Sequence, residues 1–111
     1  MPKNKKRLQY SDEAIADIER LSIFLIERAG AQTSFDTIGE LTEGIDKLKD
    51  MPYLGSLHPN PLLAAEGLMV YFLGHYVCVY FMIDDTVYIA GVFHQRADWI
   101  SQFAPVQENT D

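Results

Sequence analysis

The stretch LMVYFLGHYVCVYFMIDDTVYIAGVFH, residues 68–94, decides the fold. It holds three apolar runs, Leu68–Leu73, Tyr76–Ile83 and Thr86–His94, joined by the two-residue links Gly74-His75 and Asp84-Asp85. Links this short reverse the chain between antiparallel neighbours, and the runs are rich in β-branched and aromatic residues, so the spacing predicts a three-strand meander. Alternate residues of a strand face opposite sides of its sheet. One set is Leu68, Val70, Phe72, Val77, Val79, Phe81, Ile83, Val87, Ile89 and Phe93, and it reads as the core face. The other is Met69, Tyr71, Leu73, Tyr76, Cys78, Tyr80, Met82, Tyr88, Ala90, Val92 and His94. It too is apolar, but its Tyr and Met side chains are the kinds enriched where a surface binds something, so it is expected to dock a partner.

Upstream, Lys5–Tyr10 alternates enough to form a short strand with Leu8 and Tyr10 on one face. Ser11 is placed to cap a helix, and Asp12 and Glu13 suit its positive end. Ile15, Ile18, Leu21, Ser22, Leu25 and Ala29 make one buried stripe, with Asp17, Glu19, Glu27 and Arg28 off it and Gly30 as the stop. A second helix is expected over 31–50, with Phe35, Ile38, Leu41, Ile45 and Leu48 inward. The two form an antiparallel hairpin, in which Gly39 and Gly44 would permit close approach. Pro52, Pro59 and Pro61 then block regular structure through a long surface loop. After the meander a short helix, Ala97–Phe103, carries Trp99 and covers part of the second face. The expected fold is therefore α+β, in the order β-α-α-β-β-β(-α), with the helical hairpin on one face of a mainly antiparallel sheet.

The chain's 111 residues and 48% hydrophobic content suit a single domain with one core, spanning about residues 7–103. A basic tip (Lys3–Arg7) precedes it, and Gln107–Asp111 read as a free tail. The lone Cys78 can form no internal disulfide and no N-terminal apolar stretch resembles a signal peptide, so a reducing, cytoplasmic setting is expected. The net charge is −7, and after Met51 the only lysine or arginine is Arg96, which argues against broad phosphate-backbone binding. Three scattered histidines and one cysteine have no zinc-site spacing, so neither a metal nor another cofactor is expected.

Five segments occur in a recognisable order: Tyr10-Ser11-Asp12-Glu13-Ala14-Ile15-Ala16-Asp17-Ile18, Met51-Pro52-Tyr53-Leu54-Gly55, Glu66-Gly67-Leu68, Val79-Tyr80-Phe81, and Val92-Phe93-His94-Gln95-Arg96-Ala97-Asp98-Trp99. Together they resemble the RelE/ParE superfamily of bacterial type II toxin–antitoxin systems. The resemblance implies a small toxin, held inactive by a cognate antitoxin that wraps over it, with association as a homodimer or as a hetero-oligomer with the antitoxin. Separately, no run of the sequence approaches the roughly eighteen apolar residues of a spanning helix, so no membrane partner is expected. Members act in two ways: ParE-like toxins poison DNA gyrase, and RelE-like toxins cut mRNA on the ribosome.

RelE-like cleavage needs a proton acceptor, a proton donor and cations around the phosphate. The position where that family often has arginine is Met69, and Arg96 alone matches a family cation. A nuclease could be assembled from His94 or His75 as acid/base, Tyr80 or Tyr88 as hydrogen-bond donor and Arg96 as phosphate clamp. The competing roles are a strand-end hydrogen bond to a neighbouring loop for His94 and a salt bridge to Asp98 or Glu66 for Arg96. The shortage of cations favours a ParE-like toxin acting by protein contact, its expected partner surface being Met69, Tyr71, Cys78, Tyr80, Met82, Tyr88 and Trp99.

Overall fold

The computed structural model describes residues 6–102. Lys3 and Lys5 of the basic tip, Phe103 and the tail Gln107–Asp111 lie outside the described residues. The elements are β1 (Arg7–Tyr10), α1 (Asp12–Ala29), α2 (Ala31–Asp46) with a 3-10 turn (Lys47–Lys49), β2 (Ser56–Leu57), α3 (Pro61–Ala65), β3 (Met69–Leu73), β4 (Tyr76–Ile83) and β5 (Thr86–His94). They build an α+β fold on one mixed sheet in the order β1-β5-β4-β3-β2, in which β1 runs parallel to β5 and the other pairs are antiparallel.

Local chemistry sets the helix ends. Ser11 Oγ accepts the Ala14 amide at 3.0 Å, and Asp12 and Glu13 occupy the first turn of α1. One residue, Gly30, joins α1 to α2 at φ +96°, a conformation costly for a residue with a Cβ. Ser34 Oγ donates to Ser22 O at 2.9 Å across the hairpin. The buried stripe of α1 centres on Ala14, with Ile18 and Leu21 packed beside it, whereas Ile15 is exposed. On α2, Ile38, Leu41 and Ile45 face inward and Leu48 follows on the 3-10 turn, but Phe35 is 76% exposed. Gly44 does permit a close approach, to the sheet rather than to α1: a Cβ there would overlap Leu73 Cδ2, while one on Gly39 would meet nothing.

The proline-rich loop is more regular than expected. Asn60 Oδ1 accepts the Leu62 amide and Pro61 takes the first position of α3, where a missing N–H costs nothing, so this proline starts a helix instead of blocking one. β2 pairs with β3 through Ser56↔Val70 and Leu57↔Met69. At the other end, the expected helix from Ala97 is a series of turns among the described residues, closed by bonds such as Ala97 N to His94 O.

The main correction concerns which sheet face the helices cover. Ala14, Leu41, Ile45 and Leu48 pack on Met69, Cys78, Tyr80, Val87, Ile89 and Val92, with Tyr71, Leu73, Tyr76 and Met82 around them. Val70, Val77 and Val79 lie on the opposite face. Both sets are apolar, so alternation alone carries no sign of which one the hairpin takes. Tyrosine is tolerated beneath the helices because its hydroxyl is satisfied: Tyr80 Oη donates to Pro52 O at 2.7 Å and accepts from Gly55 N at 3.1 Å. β5 contributes to both sets. Val79 pairs with Gly91 and Tyr80 with Ile89, leaving Ala90 as the extra residue of a bulge, which turns Val92 to the side of Cys78 and Phe93 to the side of Val77.

Beyond Ile89, β5 has no β1 partner, and α1 supplies its edge bonds instead. Ser11 Oγ donates to Ala90 O at 3.1 Å, and Asp17 Oδ2 accepts the Val92 amide at 3.0 Å. Asp17, placed off the buried stripe by its periodicity, has a side chain only 11% exposed. Asp17→Ala is expected to lower stability by about 1–3 kcal/mol by orphaning the Val92 amide, read as a shift in the urea midpoint. A neutral result would mean that the bulged edge is satisfied another way.

Candidate functional site

Two regions carry the chemistry. The first is the sheet face opposite the hairpin. Register and alternation place Val70, Phe72, Val77, Val79, Phe81, Ile83, Tyr88 and Phe93 there. Phe72 and Ile83 are among the exposed large apolar residues. Phe81 and Tyr88 face each other across β4 and β5 with rings stacked at 5.4 Å and 16°. The strands bring one charged side chain to this face, Arg7, which pairs in register with Thr86 at the β1 edge. Trp99 folds back over the far part, buried against Val70, Val77 and Val79, and meets Phe72 edge-on at 5.7 Å.

An open apolar face thus exists, but β3 and β4 turn to it the residues expected in the core, Val70, Phe72, Val77, Val79 and Phe81. On β5, Tyr88 lies there as expected, and Val87 and Ile89 lie under the hairpin as expected. Of the seven residues first assigned to partner binding, Tyr88 and Trp99 lie on the open face. Met69, Tyr71, Cys78, Tyr80 and Met82 lie beneath the hairpin, so no partner can reach the buried ones among them without displacing it. Burial marks their titration: it pushes the Cys78 thiol well up, and it raises Tyr80, opposed in part by the Gly55 amide bond that stabilises the phenolate. Tyr10, on the same side, is pushed up to about 12, chiefly by burial and then by Cys78 and Asp46.

The second region is the end of the sheet at the β3–β4 turn. His94 closes β5 opposite Tyr76 in register, its ring edge-on to Tyr76 at 5.5 Å and parallel to His75 at 6.1 Å. His94 Nδ1 accepts the Arg96 amide at 3.0 Å, the loop bond expected of a strand-end histidine, which leaves Nε2 to meet other groups. Gln95 N bonds His75 O and Gln95 Nε2 bonds Gly74 O, tying the two turns together. Arg96 is exposed and forms no ion pair among the described residues, so the anticipated bridge to Asp98 or Glu66 is absent there; Asp98 instead accepts from Ser101 Oγ. Beside this end, α2 and the turn enclose a cleft of about 380 Å³ lined by Thr37, Glu40, Leu41, Leu73, Gly74, His75 and Tyr76.

The structure therefore brings together His75, His94 and Tyr76, and it separates Tyr80 from them. Tyr80 lies four residues along β4 from Tyr76, roughly 13 Å at the rise of a strand, with its hydroxyl engaged by the loop after the 3-10 turn. The His75–His94 juxtaposition was available from the meander register alone, because Gly74-His75 and the end of β5 must meet once β4 is aligned. Among the described residues no group of three or more His, Cys, Asp or Glu could hold a metal ion. No helix of the described residues is long and apolar enough to cross a membrane.

Comparison with known proteins agrees with this architecture. Residues 8–99 match the family model described as the ParE toxin of the type II toxin–antitoxin system, parDE. No curated protein sequence matches the chain. Among solved structures, a chain of the chromosomal ParDE toxin–antitoxin system of P. aeruginosa superposes with a TM-score of 0.70 at 13% identity, covering 82% of this chain and 97% of that one. A chain of the RelBE2 toxin–antitoxin complex of Mycobacterium tuberculosis gives 0.60 at 19% identity, covering 81% of this chain and 98% of that one. At such identities the superpositions speak for a shared fold alone, and the span of the family match, nearly the whole described chain, carries the assignment: this protein belongs to the ParE toxin family of type II toxin–antitoxin systems, within the RelE/ParE superfamily.

Proposed function

We propose that the chain is a ParE-like toxin that inhibits DNA gyrase by direct contact, through the open face of its sheet, and that a cognate antitoxin holds it inactive. The observation that carries this reading is the character of that face: aromatic and aliphatic, partly exposed, with Arg7 as the single charge its strands supply. An apolar surface of this kind suits a protein partner, because desolvating Phe and Tyr is favourable where desolvating a phosphate is not. The scattered cations point the same way. Arg96 is the only arginine or lysine after Met51, and a phosphate in flight needs more positive charge than one side chain provides. The antitoxin follows from the family, and the solved relatives are themselves toxin–antitoxin systems.

The test is retention of purified gyrase on the immobilised chain, with and without the product of the neighbouring reading frame. The reading requires retention, and its loss when that product is bound. A chain that binds neither protein contradicts it.

One observation favours a second reading. His75 and His94 lie side by side at the end of the sheet, with ring centroids 6.1 Å apart. Two imidazoles at such a separation could act as proton acceptor and donor on either side of a phosphodiester, giving a RelE-like mRNA endonuclease with Arg96 as clamp. Under that reading Arg96→Ala abolishes transcript cleavage on ribosomes while the melting temperature stays unchanged. Cleavage that survives the substitution excludes this site.

A further inference from the structure

His58 is the anomaly of the fold. It lies in the loop between β2 and α3, yet it is only 3% exposed. Its own amide donates to Leu68 O at 2.9 Å, which fixes the loop to the start of β3. Its Nδ1 accepts the Asn60 amide at 3.0 Å, so the neutral ring carries its proton on Nε2. That Nε2 is buried without a hydrogen-bond acceptor among the described residues. The ring meets Trp99 edge-to-face at 5.7 Å and 77°. Trp99 in turn is the residue that pins the chain following β5 onto Val70, Val77 and Val79. One histidine therefore links the β2–α3 loop to the segment lying across the open face.

We propose that His58 and Trp99 form an acid-opened latch, in which neutral His58 holds Trp99 against the sheet and protonation of His58 releases it, uncovering the apolar surface beneath. The geometry dictates the direction. A second proton can only go on Nδ1, where it meets the Asn60 N–H already pointing at that atom, and both groups are then donors. The resulting cation would sit in a dry site beside an indole and an orphaned N–H. The surroundings offer no relief: Leu68, Asn60 and Trp99 do not titrate near neutrality. Among the described residues no carboxylate or cation bears on the ring; burial lowers its proton affinity below the usual histidine value of 6.5. A group with a depressed pKa of this kind gives its stabilisation above the open-state pKa and loses it as pH falls below about 6.5, because the open form then binds the proton more tightly. Asn60 also caps α3 through Oδ1, so release is expected to loosen the first turn of that helix.

Trp99 is the chain's only tryptophan, which makes its fluorescence a direct reporter. Between pH 8 and pH 5 the full chain should show a red shift of emission and at least a twofold rise in acrylamide quenching, at constant far-UV circular dichroism. His58→Gln keeps an acceptor for Asn60 without a titrating ring, and its emission should not depend on pH across this range. The double variant His75→Gln/His94→Gln should keep the transition, since those rings belong to the other end of the sheet. Should His58→Gln fail to fold, the proton resonances of the unaltered protein decide: His58 and the Trp99 indole N–H must shift together with one midpoint below 6.5. An emission independent of pH, a transition that His58→Gln retains, or a red shift that merely accompanies loss of secondary structure would each overturn the latch.

Discussion

Tyr80→Ala is expected to lower the unfolding free energy by about 3–5 kcal/mol, a large share of the roughly 5–15 kcal/mol that holds an ordinary domain folded. Tyr80 is the largest fully buried side chain, at 0% exposure, under the helical hairpin. It works twice. Its ring fills the space between β4 and the hairpin, packed in the cluster of Leu41, Ile45, Leu48 and Cys78. Its hydroxyl bridges Pro52 O and Gly55 N, fixing the loop that leads into β2. That loop sits so close that a Cβ on Gly55 would overlap Val70 O, so glycine and tyrosine act as a pair there. Tyr80→Phe separates the two roles: it keeps the ring and orphans the loop amide, for an expected loss of about 1–3 kcal/mol. Urea unfolding followed by circular dichroism checks both. A cost below 1 kcal/mol for Tyr80→Ala is the result expected of a residue on an exposed docking face, and it would contradict the arrangement of the hairpin described above.

The second large effect concerns binding. Phe81→Ala and Tyr88→Ala are each expected to weaken gyrase binding by about 30-fold, roughly 2 kcal/mol, the size typical of an aromatic anchor at the centre of an interface. The two rings are stacked across neighbouring strands, so their losses should not add: removing the first already frees the second. Stability should fall less than for Tyr80, because both rings are only half-buried. Phe35→Ala is the control. Phe35 is the most exposed large apolar side chain among the described residues, on the hairpin and away from the open face, and its loss should leave gyrase binding unchanged. Titration of purified gyrase with labelled protein measures all three. Loss of binding in Phe35→Ala with none in Phe81→Ala would move the docking surface to the hairpin.

Much of this molecule could be read directly from its residues. The meander was unambiguous because Gly74-His75 and Asp84-Asp85 leave no room for anything but reversals, and β4 and β5 begin and end where the apolar runs do. The Ser11 cap and the Gly30 stop followed from side-chain chemistry that depends on no distant contact. What stayed hidden was set by tertiary packing. Both faces of the meander are apolar, so the choice between them depends on the fit of Tyr80 and Cys78 beneath the hairpin and of Leu73 against Gly44 of α2, which periodicity does not encode. The bulge at Ala90, which no turn residue announces, breaks the alternation along β5, so that Val87 and Ile89 lie with Met82 and Tyr80 under the hairpin although Phe93 lies with Val77 on the open face. Pro61 looked like a breaker because its effect depends on position: inside a helix it is disruptive, at the first turn it is favourable. Asp17 looked like solvent-facing charge, and only the unpaired edge of β5 explains its burial. At the site, His94 was grouped with Arg96 and Tyr80, with His75 as an alternative acid/base; the structure keeps the Arg96 amide on His94 Nδ1, sets His75 and Tyr76 beside it and leaves Tyr80 elsewhere.

Contact inhibition of gyrase is tested most directly by the supercoiling reaction of the purified enzyme with relaxed plasmid, with this protein added over a range of molar ratios. The reading proposed here predicts loss of supercoiled product together with accumulation of cleaved DNA, relieved by the antitoxin and weakened by Phe81→Ala. Undiminished supercoiling at high molar excess, with no cleaved DNA, would contradict it and transfer the weight to the His75–His94 end of the sheet.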